Sequence, residues 1–193
     1  MSNRGYSFES EIEGYFLDLE GKKRQDAIFD ATGRICRTFR VPTSGMMASM
    51  PGDVITGNHN FPQQFMIECK ARYHMTKKSG QVFRLDTDWV DKNEQESYKA
   101  GYLPIFVLSF KRMKKYRIWA VLDEKVYTTL FHYTFTNKPA PFTRKKKTIT
   151  LVKKVLDANP ATFNLERWYL LPWQDVWKVI TNLYKKVAHE EEN

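Results

Sequence analysis

The chain has 193 residues, 42% of them hydrophobic and 15% aromatic, which suits a folded domain with its own core and excludes a disordered tail. With 31 Lys+Arg against 22 Asp+Glu the formal charge is +9, so a polyanionic partner is expected, nucleic acid before an anionic membrane, beside the plain reading of a merely soluble basic protein. No apolar run approaches the ~20 residues of a membrane span, the first residues lack a signal peptide's apolar stretch, and Cys36 and Cys69 read as small buried hydrophobes in a reducing, cytoplasmic setting.

Behind Ser7, the residues Phe8, Ile12, Tyr15, Phe16 and Leu19 fall at helical spacing and predict a helix over 7–19, with Glu9, Glu13 and Glu20 mostly off its apolar face. Polar residues 20–33 follow, with one helical turn expected at Ala27-Ile28-Phe29. Residues 35–41 read as a strand ended by Pro42, and 43–52 as a loop rich in small residues and Met. Strands are expected at 53–57 and 64–71, joined by the turn signal Gly57-Asn58-His59-Asn60, and then an exposed basic loop over 72–87. A second helix over 89–100 follows Asp88 and stops at Gly101. Residues 104–110 are a continuous apolar run suited to a buried central strand, 111–115 a basic hairpin tip, and 117–122 the next strand. Beyond 123 the pattern weakens: strands are expected at 130–135, 148–155 and 168–171. Pro172 opens a last helix, to about 187, with Trp173, Val176, Trp177, Ile180 and Tyr184 on one face. There is no internal repeat and no linker, so residues 1–193 read as one domain with an unassigned elaboration from about 123. Helix, strands, helix, strands, helix around a mixed sheet is an α/β or α+β arrangement.

The residues that carry chemistry are Gly52-Asp53-Val54-Ile55 and Phe65-Met66-Ile67-Glu68-Cys69-Lys70. Alternation on a strand points Glu68 and Lys70 one way and Phe65, Ile67 and Cys69 the other, into a core. A strand starting at Asp53 and paired antiparallel beside this one would bring its carboxylate close to that of Glu68. Two carboxylates at one point bind a hard divalent cation such as Mg²⁺. An ammonium beside them can position a water or offset charge on a phosphate. The combination suits phosphodiester hydrolysis. The four histidines have no metal-ligand spacing with each other or with the cysteines, which argues against zinc.

Asp53…Glu68-x-Lys70 resembles the core of the PD-(D/E)xK nuclease superfamily, with Pro51-Gly52-Asp53 in place of a proline directly before the acid. Arg4-Gly5-x-x-x-Glu9 resembles the opening of archaeal-type Holliday junction resolvases, and Arg40-Val41-Pro42-Thr43-Ser44-Gly45 their strand and Ser-Gly loop. The likeness spans about residues 4–122. It implies a restriction-endonuclease-like fold, with a central mixed β-sheet flanked by helices. It implies Mg²⁺, with Mn²⁺ as a substitute, held by Asp53, Glu68, the main-chain carbonyl of Cys69, and Glu9. Lys70 would position the attacking water and Ser44 would support catalysis at the phosphate. Arg4, Ser44, Arg72, Lys77, Lys78 and Gln95 would contact nucleic acid. The implied substrate is a four-way DNA junction, cut to a 5′-phosphate and a 3′-hydroxyl by a symmetric homodimer, with no membrane partner. Trp89, residues 131–135 or the last helix would supply the dimer interface. A duplex-specific nuclease of restriction or repair type is the alternative. A viral or phage origin would suit a compact resolvase.

Each of these residues has a plain structural reading as well. Glu68 and Lys70 also read as an ion pair on a solvated strand face, and Asp53 and Ser44 as turn and loop residues. Glu9 also reads as a first-turn helix acid, with Glu11 the ligand instead. Basic surfaces suited to phosphates are Lys22-Lys23-Arg24, Arg34 with Arg37 and Arg40, Arg72 with Lys77-Lys78, and residues 111–117 and 144–147.

Overall fold

All eight residues of the strand Leu103–Phe110 are buried, because it lies inside a sheet with layers on both of its faces. A computed structural model of the chain describes residues 4–42, 52–57, 64–73, 82–110, 113, 116–131, 138–139, 142–152, 156 and 161–191. In chain order the elements are α1 (Arg4–Glu20), β1 (Phe39–Arg40), β2 (Val54–Ile55), β3 (Phe65–Tyr73), β4 (Val82–Asp86), α2 (Thr87–Lys99), β5 (Leu103–Phe110) and β6 (Ile118–Asp123). Then come α3 (Glu124–Phe131), β7 (Lys138–Pro139), β8 (Phe142–Lys145), β9 (Thr148–Val152), β10 (Phe163–Leu165), β11 (Trp168–Pro172) and α4 (Trp173–Glu191).

Eight strands form one sheet in the order β1-β2-β3-β5-β6-β11-β10-β7, and β4, β9 and β8 form a separate three-stranded sheet. β3 runs parallel to β5, β7 runs parallel to β10, and the remaining pairs of the large sheet are antiparallel. The architecture is therefore a mixed sheet flanked by helices, as the order of elements predicted. The segment after residue 123 is woven into it: β11 pairs with β6 and β10 with β11.

Strand alternation divides the core in two. Phe65, Ile67, Cys69, Ile105, Val107, Ala120 and Leu122 face a layer made by α1, α3 and α4, where they meet Phe8, Ile12, Phe16, Val126, Trp173, Val176 and Ile180. Phe106, Leu108, Phe110, Trp119 and Val121 face the other way, under Val90 of α2 and Leu85, Ile149 and Leu151 of the small sheet. Each of the Val, Leu, Ile and Phe side chains among them contributes roughly 1.5–3 kcal/mol when fully buried. Among the described residues no helix is long and apolar enough to cross a membrane.

Helix α2 is fastened at both ends. Asp86 caps it, accepting the Asp88 amide at 3.0 Å, and Gly101 leaves it with φ 84°. Its outward acids are held by the tips of two hairpins: Lys147, between β8 and β9, reaches Asp88 at 2.7 Å, and Arg167, between β10 and β11, reaches Glu94 at 2.8 Å and Asp91 at 3.2 Å.

Three expectations change. Residues 82–86 are the strand β4, not part of a basic loop; Leu85 is buried and pairs with Ile149. Residues 124–131 are the helix α3, so no strand begins at 130: Val126, Tyr127, Leu130 and Phe131 lie on one helical face, and Asp123 caps it by accepting the Val126 amide at 2.7 Å. Residues 27–29 form no helical turn; Phe29 instead bridges to Ile35, and the strand expected over 35–41 is regular only at Phe39–Arg40. The expected segments at 43–51, 58–63, 74–81 and 132–135 lie outside the described residues.

Candidate active site

Pairing of β2 with β3 brings the two acids to one cleft. Val54 stands opposite Ile67 and Ile55 opposite Met66, and Asp53, the residue before β2, lines the same cleft as Glu68. The main chain of Asp53 is held on both sides, its amide donating to Ile67 O at 3.0 Å and its carbonyl accepting the Val41 amide at 2.9 Å. Its side chain is buried, and Oδ2 accepts the Cys69 amide at 2.8 Å. Gly52 makes the turn before it at φ 89°, where a Cβ would lie 2.7 Å from Met66 Cγ.

Met66, Glu68 and Lys70 share the face of β3 that looks toward α2, while Phe65, Ile67 and Cys69 enter the opposite core. The Lys70 ammonium ion-pairs with Glu68 Oε1 and lies 5.8 Å from the centre of the Trp89 ring. Gly52, Asp53, Glu68 and Lys70 form one wall of a cleft of about 490 Å³; Trp89, Lys92, Asn93 and Glu96 of α2 form the other.

The carboxylates here repel one another. Burial, then the charge of Asp53, raises the pKa of Glu68, against the opposing pull of Lys70. Burial also raises Glu9, with Asp53 and Glu68 adding to it and Arg40, whose Nε lies 3.9 Å from Glu9 Oε2, opposing them. Glu9 thus shares the electrostatic field of the other two acids. Burial works to lower the pKa of Lys70, but the charges of Glu68 and Asp53 outweigh it and raise the pKa, keeping the ammonium charged. Burial and the three carboxylates push the Cys69 thiol well up, so Cys69 offers this region its main chain and not a thiolate.

Other predicted residues fall in several places. Neither Glu9 nor Glu11 is in the cleft lining; Glu11 is paired with Arg117, whereas Glu9 feels the charges of Asp53 and Glu68, which favours Glu9 as the third acid. Gln95 is exposed and does not line the cleft; Asn93 stands in the inward position on α2. Arg4 belongs to α1 and Arg72 to β3, with side chains outside the description, and Ser44, Lys77 and Lys78 lie outside the described residues altogether. Arg37 is no phosphate-binding surface: it is buried and donates to the carbonyls of Asp26, Thr38 and Arg24 at 2.7 Å each. Trp89, Lys92, Asn93 and Glu96 were not foreseen as cleft residues. Their spacing of three, one and three along α2 puts them on one helical face, which was the available signal.

Among the described residues, no three His, Cys, Asp or Glu side chains are grouped closely enough to hold a metal as they stand. Lys70 engages one oxygen of Glu68, and the Cys69 amide one oxygen of Asp53. The donor chemistry nevertheless fits a hard divalent cation: two facing carboxylates and a third in their field, raised by mutual repulsion that a cation would relieve.

No protein-family model matches the chain, and no curated protein sequence matches it. Among solved structures the chain is similar to Hjc, a Holliday junction resolvase from the archaeal hyperthermophile Archaeoglobus fulgidus. The identity is 14%, with 78% of this chain and 85% of that one covered and a TM-score of 0.42.

Proposed function

We propose that the chain is a divalent-metal-dependent endonuclease that hydrolyses DNA phosphodiesters, and that its substrate is the four-way (Holliday) junction. The observation that supports this most is that Asp53, Glu68 and Lys70 line one cleft, with the Asp53 side chain fixed by the Cys69 amide and Glu68 and Lys70 on one face of β3. The charge of +9 fits a polyanionic substrate. Mg²⁺, with Mn²⁺ as a substitute, would be held by Asp53, Glu68, the Cys69 carbonyl and Glu9, and when bound supplies Lewis-acid polarisation of the phosphate.

The chain's own residues do the rest. The Asp53 carboxylate is pre-oriented by the Cys69 amide. The Lys70 ammonium, on the face shared with Glu68, orients a water toward phosphorus and offsets the charge that develops on the phosphate. The Trp89 ring lies beside that ammonium on the α2 side, its π face toward the charge. Ser44, Arg4, Arg72, Lys77 and Lys78 contact the phosphate backbone, and the products carry a 5′-phosphate and a 3′-hydroxyl.

The junction reading rests on the Arg4-Gly5-x-x-x-Glu9 opening and the Ser44-Gly45 loop, and it carries with it a homodimer with two opposed sites. One observation favours a duplex-specific nuclease instead. The β8–β9 hairpin, with exposed Lys146 and Lys147 at its tip, lies beside the start of α2 and outside residues 4–122, the span whose motifs resemble those of resolvases.

A single assay separates the readings. Labelled four-way junction, matched duplex and single strand are offered with Mg²⁺ to wild type and to Asp53→Asn. Symmetric nicks near the crossover, lost in the variant, support a resolvase; cutting of duplex at one sequence supports the restriction or repair reading. Cleavage that survives Asp53→Asn overturns the site itself.

A further inference from the structure

Asn93 is the one member of the cleft lining whose chemistry is unanswered. It is 5% exposed, it lines the cleft with Asp53, Glu68 and Lys70, and its Oδ1 is buried with no hydrogen-bond partner among the described residues. Its main chain is fixed in α2, where its carbonyl accepts the Ser97 hydroxyl at 2.7 Å. A buried amide oxygen left without a donor is costly, so an unmet one on a residue that lines the cleft marks a place where a donor can arrive.

Two ammonium groups border this space. Lys92 is mostly exposed and lies 3.7 Å from Glu96, one turn along the same helix. Lys70 is largely enclosed, carries three donor hydrogens, and is bound to Glu68 on one side with the Trp89 ring on another. While Glu68 holds the ammonium, a lone pair that a cation would use is taken.

We infer that Asn93 is a positioning residue of this cleft, whose Oδ1 receives the Lys70 ammonium when Glu68 turns its carboxylate to a divalent cation. Lys70 then has two resting places: on Glu68 in the cation-free protein, and between Asn93 and the Trp89 ring once the cation is bound. Asn93 lowers the cost of moving from the first to the second. The inference rests on the metal reading of the cleft.

The test is Mn²⁺ binding by calorimetry on the protein alone, with cleavage as a second readout. Asn93→Leu, which keeps the branching of the side chain and removes the orphan oxygen, is expected to melt no lower than wild type, because losing an unsatisfied buried oxygen offsets the added bulk of two methyls beside an open cleft. It is expected to bind Mn²⁺ about tenfold more weakly, the loss of one hydrogen bond to a charged group. In a Lys70→Met background the same Asn93→Leu change is expected to leave Mn²⁺ affinity unaltered, because no ammonium remains to be received. Asn93→Ala serves as the second variant if leucine fails to fold. Equal Mn²⁺ affinity of wild type and Asn93→Leu, or a loss that is the same with Lys70 present and with Lys70→Met, overturns the inference and leaves the metal site standing. A wild type that binds no Mn²⁺ overturns both.

Discussion

The Cys69 amide donates to Asp53 Oδ2 across 2.8 Å, so the first acid of the cleft is oriented by the backbone of the strand that carries the second. The bond joins residues sixteen apart in sequence and ties the residue before β2 to β3, the strand that carries Glu68. It also separates two properties that mutation can pull apart: the acceptor, which the fold needs, and the charge, which the chemistry needs.

Asp53→Asn retains an acceptor for the Cys69 amide and removes one repelling charge. We expect cleavage to fall by about 100-fold or more while the melting temperature stays or rises. Asp53→Ala leaves the buried amide without a partner, and the melting temperature is expected to drop by roughly 5 °C. Thermal melts beside single-turnover cleavage check both.

Glu68 and Glu9 carry pKa values raised above the ordinary 4.5. A group whose folded pKa exceeds its unfolded one binds its proton more tightly when folded. Its stabilising contribution is full below the unfolded value and is lost as pH rises through the folded one. In EDTA these two acids therefore make the protein more stable toward pH 5 than at pH 7.5. A divalent cation opposes the repulsion, so Mn²⁺ is expected to raise the melting temperature more at pH 7.5 than at pH 5. Glu68→Gln is expected to flatten both trends.

Glu20 gives a second pH dependence far from the cleft. Burial raises its pKa to about 7, although it accepts the Thr38 amide at 2.7 Å and hydroxyl at 2.6 Å, bonds that favour the charged form. The sign is the same: stability contributed below about pH 4.5 is lost as pH climbs through 7. Glu20→Gln is expected to reduce the fall in stability between pH 5 and 8 by on the order of 2 kcal/mol, measured by urea unfolding at each pH.

Gly57 sets how closely the chain after β2 approaches Arg37. A Cβ there would stand 2.0 Å from the Arg37 carbonyl carbon, a collision of backbone with backbone that no rotamer relieves. Gly57→Ala is expected to cost about 3 kcal/mol or more and to disturb the Thr38 hydroxyl that accepts the Gly57 amide at 3.2 Å. Chemical denaturation of the variant measures it.

The sequence was most legible where periodicity and burial agree. β3 and β5 are readable from alternation and from an unbroken apolar run, and with them came the shared face of Glu68 and Lys70. The helices α1, α2 and α4 follow from spacing and caps. The region after 123 was less legible, because Val126-Tyr127 and Leu130-Phe131 read equally as pieces of strand until tertiary contacts decide for helix. Residues such as Glu13, Glu20 and Arg37 looked like solvated surface, yet they are committed to distant main-chain groups, and no local pattern announces such a partner. Asn93 sits on a helical face that spacing marks out, but its neighbour Lys70 across the cleft is 23 residues away in sequence and only one layer away in space.

The two hairpin tips on α2 bear on when the cleft can exist. Lys147 and Arg167 come late in the chain, but the helix they fasten forms the second wall of a site whose acids lie at 53 and 68. A ribosome that has released the chain through residue 122 has delivered Glu9, Asp53, Glu68, Lys70 and Asn93 without the clamps that hold α2 against them. The second wall is therefore expected to be fully fastened only after residue 167 has been made, so that a chain ending before it holds the reactive groups against a less firmly seated α2.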